Sequence, residues 1–211
     1  MGLIKWFDEG HNEKWHKLMT DQIYTAVLGS IIYLIFEWLY LVLNNADKIH
    51  FEDGLIKTLI LTICIVFYLC DYYYIKWTNP YRKWYFFLDL VFMGCMFFTV
   101  KSLGLEFKDD KTTLLNIQFE SIVIAFGIFY ILYLVWDCRE LSASKTVELK
   151  NYYKEVIVWE IISIILLLLN WFFHNIYLLI VCLFISTIWF VFITIRKEKH
   201  ISSKFINLFF N

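Results

Sequence analysis

The chain has 211 residues, 60% of them hydrophobic and 21% aromatic, with a mean hydropathy of +0.61 and a formal net charge of -1. Soluble domains run at about 45 to 50% apolar residues, so a water-soluble fold is excluded, and a chain without a basic block offers no nucleic-acid surface. One proline and seven glycines leave no material for a flexible linker, which predicts a single domain over residues 1–211.

In chain order, residues 1–21 mix Asp8, Glu9, Glu13, Lys14 and Lys17 with Ile4, Phe7, Trp15, Leu18 and Met19 at helical spacing. That pattern predicts a short interfacial helix on a membrane surface, and it lacks the apolar core of a cleaved signal peptide. Six apolar runs of about the 20 residues needed to cross a bilayer follow, at 22–44, 55–77, 84–103, 117–138, 155–173 and 176–195. The last two meet at Phe173, His174 and Asn175, which predicts a tight helical hairpin; one long bent helix is the alternative. Polar groups at Asn170, His174 and Asn175 favour the hairpin, because they stand where the chain would reach water. After the sixth run, Ile201, Phe205, Leu208 and Phe209 predict a second interfacial helix over 200–211. The expected fold class is therefore all-α, a polytopic membrane protein built as a six-transmembrane-helix bundle.

Fourteen of the 19 Lys and Arg residues fall on one side of this frame: Lys5, Lys14 and Lys17, then Lys76, Arg82 and Lys83, then Arg139, Lys145, Lys150 and Lys154, then Arg196, Lys197, Lys199 and Lys204. The other side holds Lys48, Lys57, Lys101, Lys108 and Lys111. The positive-inside rule then predicts cytoplasmic N- and C-termini, and the Ile, Phe, Lys, Asn and Tyr bias suits a bacterial inner membrane protein of an A+T-rich genome. Trp77, Trp84, Trp136 and Trp159 are expected at the cytoplasmic interface and Trp171 at the outer one, as headgroup anchors. Gly29, Gly94 and Gly127, with small neighbours, are expected to allow close helix crossings.

Carboxylates interrupt five of the runs: Glu37, Asp71, Asp89, Glu120 and Glu160. A carboxylate in hydrocarbon costs roughly 2.5 to 3.5 kcal/mol even on the lenient insertion scale, so each calls for a partner or a pathway. At ~1.5 Å per residue, Asp71, Asp89 and Glu160 all lie some 8 to 10 Å inside the cytoplasmic interface. Asp137 lies just below that level, with Lys76, Arg82, Lys83 and Arg139 as bases long enough to reach it. One reading makes Asp71, Asp89 and Glu160 a convergent cation or proton site. The other has each acid paired with Lys, Arg, Tyr or backbone to fix packing. Glu120 reads as an interfacial charge. Glu37 stands among Phe36, Trp38, Leu39 and Tyr40 with no nearby base.

No hydrolase, metalloprotease or phosphotransfer motif is present, and the five cysteines form no CxxC pair. The chain is thus expected to be no enzyme, with no metal and no cofactor. The first functional expectation is an oligomeric channel or pore-type subunit passing cations or protons by the intramembrane carboxylate layer. The second is a membrane-anchoring or membrane-sensing subunit that recruits a cytoplasmic protein. The expected partners are the lipid bilayer, further copies of the chain and such a protein, with no nucleic acid. In composition and size the chain resembles small multi-pass proteins that accompany bacterial antiviral systems, which would imply a role in antiviral defence.

Overall fold

The computed structural model describes residues 13–44, 51–76, 81–103 and 117–209, with side chains as far as Arg196 except those of Phe51 and Asp53. Among them there is no strand. Six long helices account for the fold: α1 Glu13–Asn44, α2 Phe51–Lys76, α3 Lys83–Ser102, α4 Phe119–Ala143, α5 Val147–Phe173 and α6 Ile176–Phe209. All six are long and apolar enough to cross a membrane. In hydrocarbon every backbone N–H and C=O must be met within the segment itself, so an apolar run of this length has only the helix open to it.

The flanks are continuous with the spans. The backbone of α1 is helical from Glu13 onward, and α6 continues as helix to Phe209; residues 1–12, Trp77 and the side chains beyond Arg196 lie outside what is described. A wider π turn at Leu18–Ile23 shifts the phase of α1 just before it enters the bundle. It leaves Met19 and Thr20 buried, with the Thr20 hydroxyl donating to the His16 carbonyl at 2.9 Å.

The expected corner between the last two spans is a hairpin. His174 ends α5 in the left-handed conformation (φ 48°), its N–H bonded to the Asn170 carbonyl at 2.9 Å. Asn175 then starts α6, its side-chain oxygen accepting from the N–H groups of Tyr177 and Leu178 at 2.9 and 3.1 Å. Capping of this kind satisfies donors that the helix cannot. The buried Asn170 side chain closes the corner from inside, its amide donating to the Asn175 carbonyl at 3.0 Å and its oxygen accepting from Leu179 N–H at 2.6 Å.

Helices consecutive in the chain are antiparallel, and the start of α1 and the Arg196 region of α6 come to one end of the bundle, the terminal end. There His16 Nε2 stands 3.0 Å from the Ile75 carbonyl of α2, and Arg196 of α6 bonds Glu155 of α5 at 2.8 Å. Helices α2, α3, α4, α5 and α6 pack in that order into a closed ring, α6 returning against α2. The ring is filled with aromatic side chains: Phe67 of α2 lies 4.8 Å from both Phe129 of α4 and Phe190 of α6, and Phe92 of α3 stacks on Tyr133 at 4.6 Å. Helix α1 lies outside this ring, held against α2 by Tyr24, Ile31 and Trp38.

Two expectations about packing change. Trp136 is no interfacial anchor: it is fully buried and stacked on Tyr85 at 4.0 Å, because an inward helical phase outweighs its position near the helix end. Gly29, Gly94 and Gly127 mark no close crossing, since a Cβ at any of them would meet nothing within 4 Å.

Candidate functional site: a carboxyl and tyrosine network

Four acids of the long helices turn into the terminal half of the ring. Asp71, Asp89 and Asp137 are 0 or 1% exposed and Glu160 only 6%. Asp71 is placed by α2, Asp89 by α3, Asp137 by α4 and Glu160 by α5, so four of the five ring helices contribute one each. Their common depth follows from the antiparallel order, which brings the ends of α2 and α4 level with the start of α3.

Tyrosine hydroxyls meet three of these groups. Asp71 accepts from Tyr24 of α1 on one oxygen and from Tyr133 of α4 on the other. Asp89 accepts from Tyr81, and Asp137 accepts from Tyr74 at 2.6 Å. Tyr133 is the hub: it bonds Asp71 and lies within electrostatic reach of Asp89 and Asp137. A neutral donor in a dry interior is a strong partner for a carboxyl group, since the low dielectric magnifies each hydrogen bond. At the terminal end the network continues through Glu140, which Tyr85 and Tyr153 reach with their hydroxyls.

Two carboxyl groups of the network meet directly. Glu160 faces Asp137 within hydrogen-bonding range, and each keeps one buried oxygen without a donor. A hydrogen bond between two carboxyl groups requires a proton on one of them. The pair borders a cavity lined also by Tyr130, Tyr133, Ser163 and Ser186, with about 20 Å³ open to the centres of water molecules. That is room for about one water. Ser186 donates to Ser163 at 3.1 Å on the far side of the cavity, next to the buried Tyr130 hydroxyl. Along α5 buried Leu167 lies between Ser163 and Asn170, and on α6 buried Leu183 precedes Ser186 by three residues.

Of the residues singled out by sequence, the structure therefore brings together Asp71, Asp89, Asp137 and Glu160. Glu37 stays apart, exposed on α1. Glu120 is exposed at the opposite end and stands 3.2 Å from His174. The bases lie around the network: Arg139 stacks 4.6 Å over the Trp84 ring, Lys76 lies 5.9 Å over the rings of Tyr72 and Tyr73, and Arg82 and Lys83 are half-buried at the start of α3.

Tyr24, Tyr81, Tyr133, Ser163, Ser186 and Glu140 escaped the sequence reading. A signal for two of them exists: Ser163 follows Glu160 by three residues on one helix face, and Tyr133 precedes Asp137 by four. Lys57, counted from sequence among the five bases of the other side, is 1% exposed beneath α1, its amino group 5.7 Å from the Trp38 ring. No group of His, Cys, Asp and Glu able to hold a metal ion occurs among the described residues. Comparisons with protein-family models, with curated proteins and with solved structures return no match.

Proposed function

We propose that the chain is a six-span membrane protein with cytoplasmic termini that passes protons through its carboxyl and tyrosine network. The observation that carries this reading is the Asp137–Glu160 pair at a cavity the size of one water. Two carboxyl groups sharing a proton beside a water can hand it on without moving a helix, and intramembrane acids of this kind are the usual parts of proton relays.

Two features favour protons over other cations. The centre of the ring is filled by Phe67, Phe129 and Phe190, and the cavity admits no hydrated ion. Hydroxyl partners can pass a proton by donating on one side and accepting on the other, which a metal cation cannot exploit. Leu167 and Leu183 interrupt the polar track between Ser163 and Asn170, which makes the pathway gated: wetting of this short apolar stretch is the step that opens it. The placement of both termini in the cytoplasm rests on the side that carries fourteen of the 19 basic residues. In this orientation the network faces the cytoplasm.

The test is proton flux into liposomes loaded with a pH-sensitive dye, driven by a potassium gradient with valinomycin, using the full chain. Wild-type protein is expected to carry protons but neither sodium nor potassium, and the double variant Asp137→Asn, Glu160→Gln to lose at least tenfold of the flux. Flux equal to that of protein-free liposomes, or unchanged in the double variant, would remove the proposal.

A further inference from the structure

Helix α1 carries its polar residues on the wrong side for a peripheral span. Its packed face is Tyr24, Ile31 and Trp38, spaced by seven. Ala26, Tyr33 and Tyr40 each follow one of these by two positions, about 200° around the helix at 100° per residue. Ser30, Glu37 and Asn44 fall on the same line, completing alternating steps of four and three. All six are exposed, Tyr33 and Tyr40 by 66 and 67%. From Ala26 to Asn44 the other exposed positions, such as Ile32, Phe36, Leu39 and Leu43, are apolar, as lipid requires. The stripe is thus confined to one line and is turned away from the bundle.

Glu37 makes this arrangement costly as it stands. It sits seven residues before the end of α1, roughly 10 Å of helix, and its two-carbon side chain is too short to reach water by snorkelling. Among the described residues, neither its carboxylate nor the Tyr33 and Tyr40 hydroxyls find a hydrogen bond or ion pair. A charge left in lipid demands a partner from outside the chain.

We infer that this stripe is the seam of a parallel dimer in which α1 of one copy packs on α1 of a second copy. The two copies enter the bilayer in the same orientation, so a two-fold axis along the membrane normal sets each residue at the depth of its own counterpart. The stripe fits itself at that alignment: the donors Tyr33 and Tyr40 lie one turn either side of the acceptor Glu37, within reach of the opposing carboxylate. Tyrosine on carboxylate is also the pairing the chain uses inside its ring, at Asp71, Asp89, Asp137 and Glu140. The seven-residue repeat is the one parallel helices share when they wind together left-handed, and Ala26 and Ser30 let the backbones approach. The seam contains no residue of the carboxyl network, and the inference stands or falls apart from proton passage.

Its test uses the full chain in liposomes at high dilution in lipid, in a Cys138→Ser background because Cys138 is the exposed native thiol. Ser30→Cys is expected to form a disulfide-linked dimer on mild oxidation, and Leu39→Cys, exposed on the apolar side of α1, to remain monomeric. Single-molecule photobleaching of the protein without added cysteines is expected to count two copies, with dissociation about tenfold easier in Glu37→Leu and near wild type in Glu37→Gln. Monomers throughout, equal cross-linking at both cysteines, or a dimer indifferent to Glu37→Leu would overturn the seam. So would a different protein captured at Ser30→Cys in native membranes while the purified chain stays monomeric.

Discussion

Asp71 shows what a single side chain can contribute in this interior. Both of its oxygens accept from hydroxyls of other helices, so removing one donor takes away a buried interhelical hydrogen bond. In water-soluble proteins a hydrogen bond to a charged group contributes about 1.5 to 3 kcal/mol, whereas interhelical bonds within membranes average about 0.6 and reach about 1.7. Tyr133→Phe keeps the ring stack on Phe92 and deletes only the hydroxyl, so it is expected to cost about 1 to 2 kcal/mol in reversible unfolding from mixed micelles. Tyr73→Phe, at a half-exposed site, is expected to stay within about 0.5 kcal/mol. Equal effects of the two substitutions would show that the hydroxyl on Asp71 contributes nothing specific. The acids themselves were legible in the sequence, because a charge in a long apolar run announces itself. Their partners were legible only in part. Tyr72, Tyr73 and Tyr74 stand next to Asp71 in the chain, yet helical phase sends Tyr74 to Asp137 and leaves Asp71 to Tyr24 and Tyr133, 47 and 62 residues away.

At the level of elements, the hairpin between α5 and α6 was readable because its polar residues interrupt two apolar runs at the point where the backbone needs caps. Asn175 holds that turn by accepting two N–H groups at the start of α6, and its backbone carbonyl accepts from Leu179 at 3.0 Å. Loss of a side-chain N-cap costs about 0.5 to 2 kcal/mol. Asn175→Ala is therefore expected to destabilise the bundle by about 1 kcal/mol, and Asn175→Ser, which restores an acceptor, to recover most of it, both read in the same unfolding assay. A loss in both variants alike would assign the effect to the backbone of the turn instead of the cap. The start of α1 was not readable in the same way. Its mixed, charged residues fit a surface helix as well as a continuous one, and the choice is made by tertiary contacts: Trp15 edge-on to Phe86 at 4.4 Å and His16 stacked on Tyr81 at 4.6 Å. The π turn that follows has no sequence signature, although it decides which face of α1 meets α2.

For the molecule as a whole, the number of long apolar helices followed from length and hydropathy, but ring order did not, because every one of them is apolar enough to neighbour any other. Contacts decide it, and they place α1 outside and an aromatic plug inside. The plug bears directly on whether the ring conducts. Phe67 is fully buried, packs against Phe126, Phe129, Tyr130 and Phe190, and borders the Asp137–Glu160 cavity. Phe→Ala substitutions in soluble cores cost about 3 to 5 kcal/mol, of which one part is transfer to water and the other the cavity left behind. Lipid tails are as apolar as this interior, so the transfer part largely disappears in a bilayer and the cavity part remains, which lowers the expected cost of Phe67→Ala to about 2 to 3 kcal/mol. The vacated space adjoins a polar pair, so it is expected to take up water and raise proton flux in the liposome assay, while Phe126→Ala, whose side chain does not border that cavity, is expected to destabilise without raising it. Higher flux from both variants would trace the leak to loosened packing in general. An increase confined to Phe67→Ala would tie the aromatic plug to the carboxyl pair it covers.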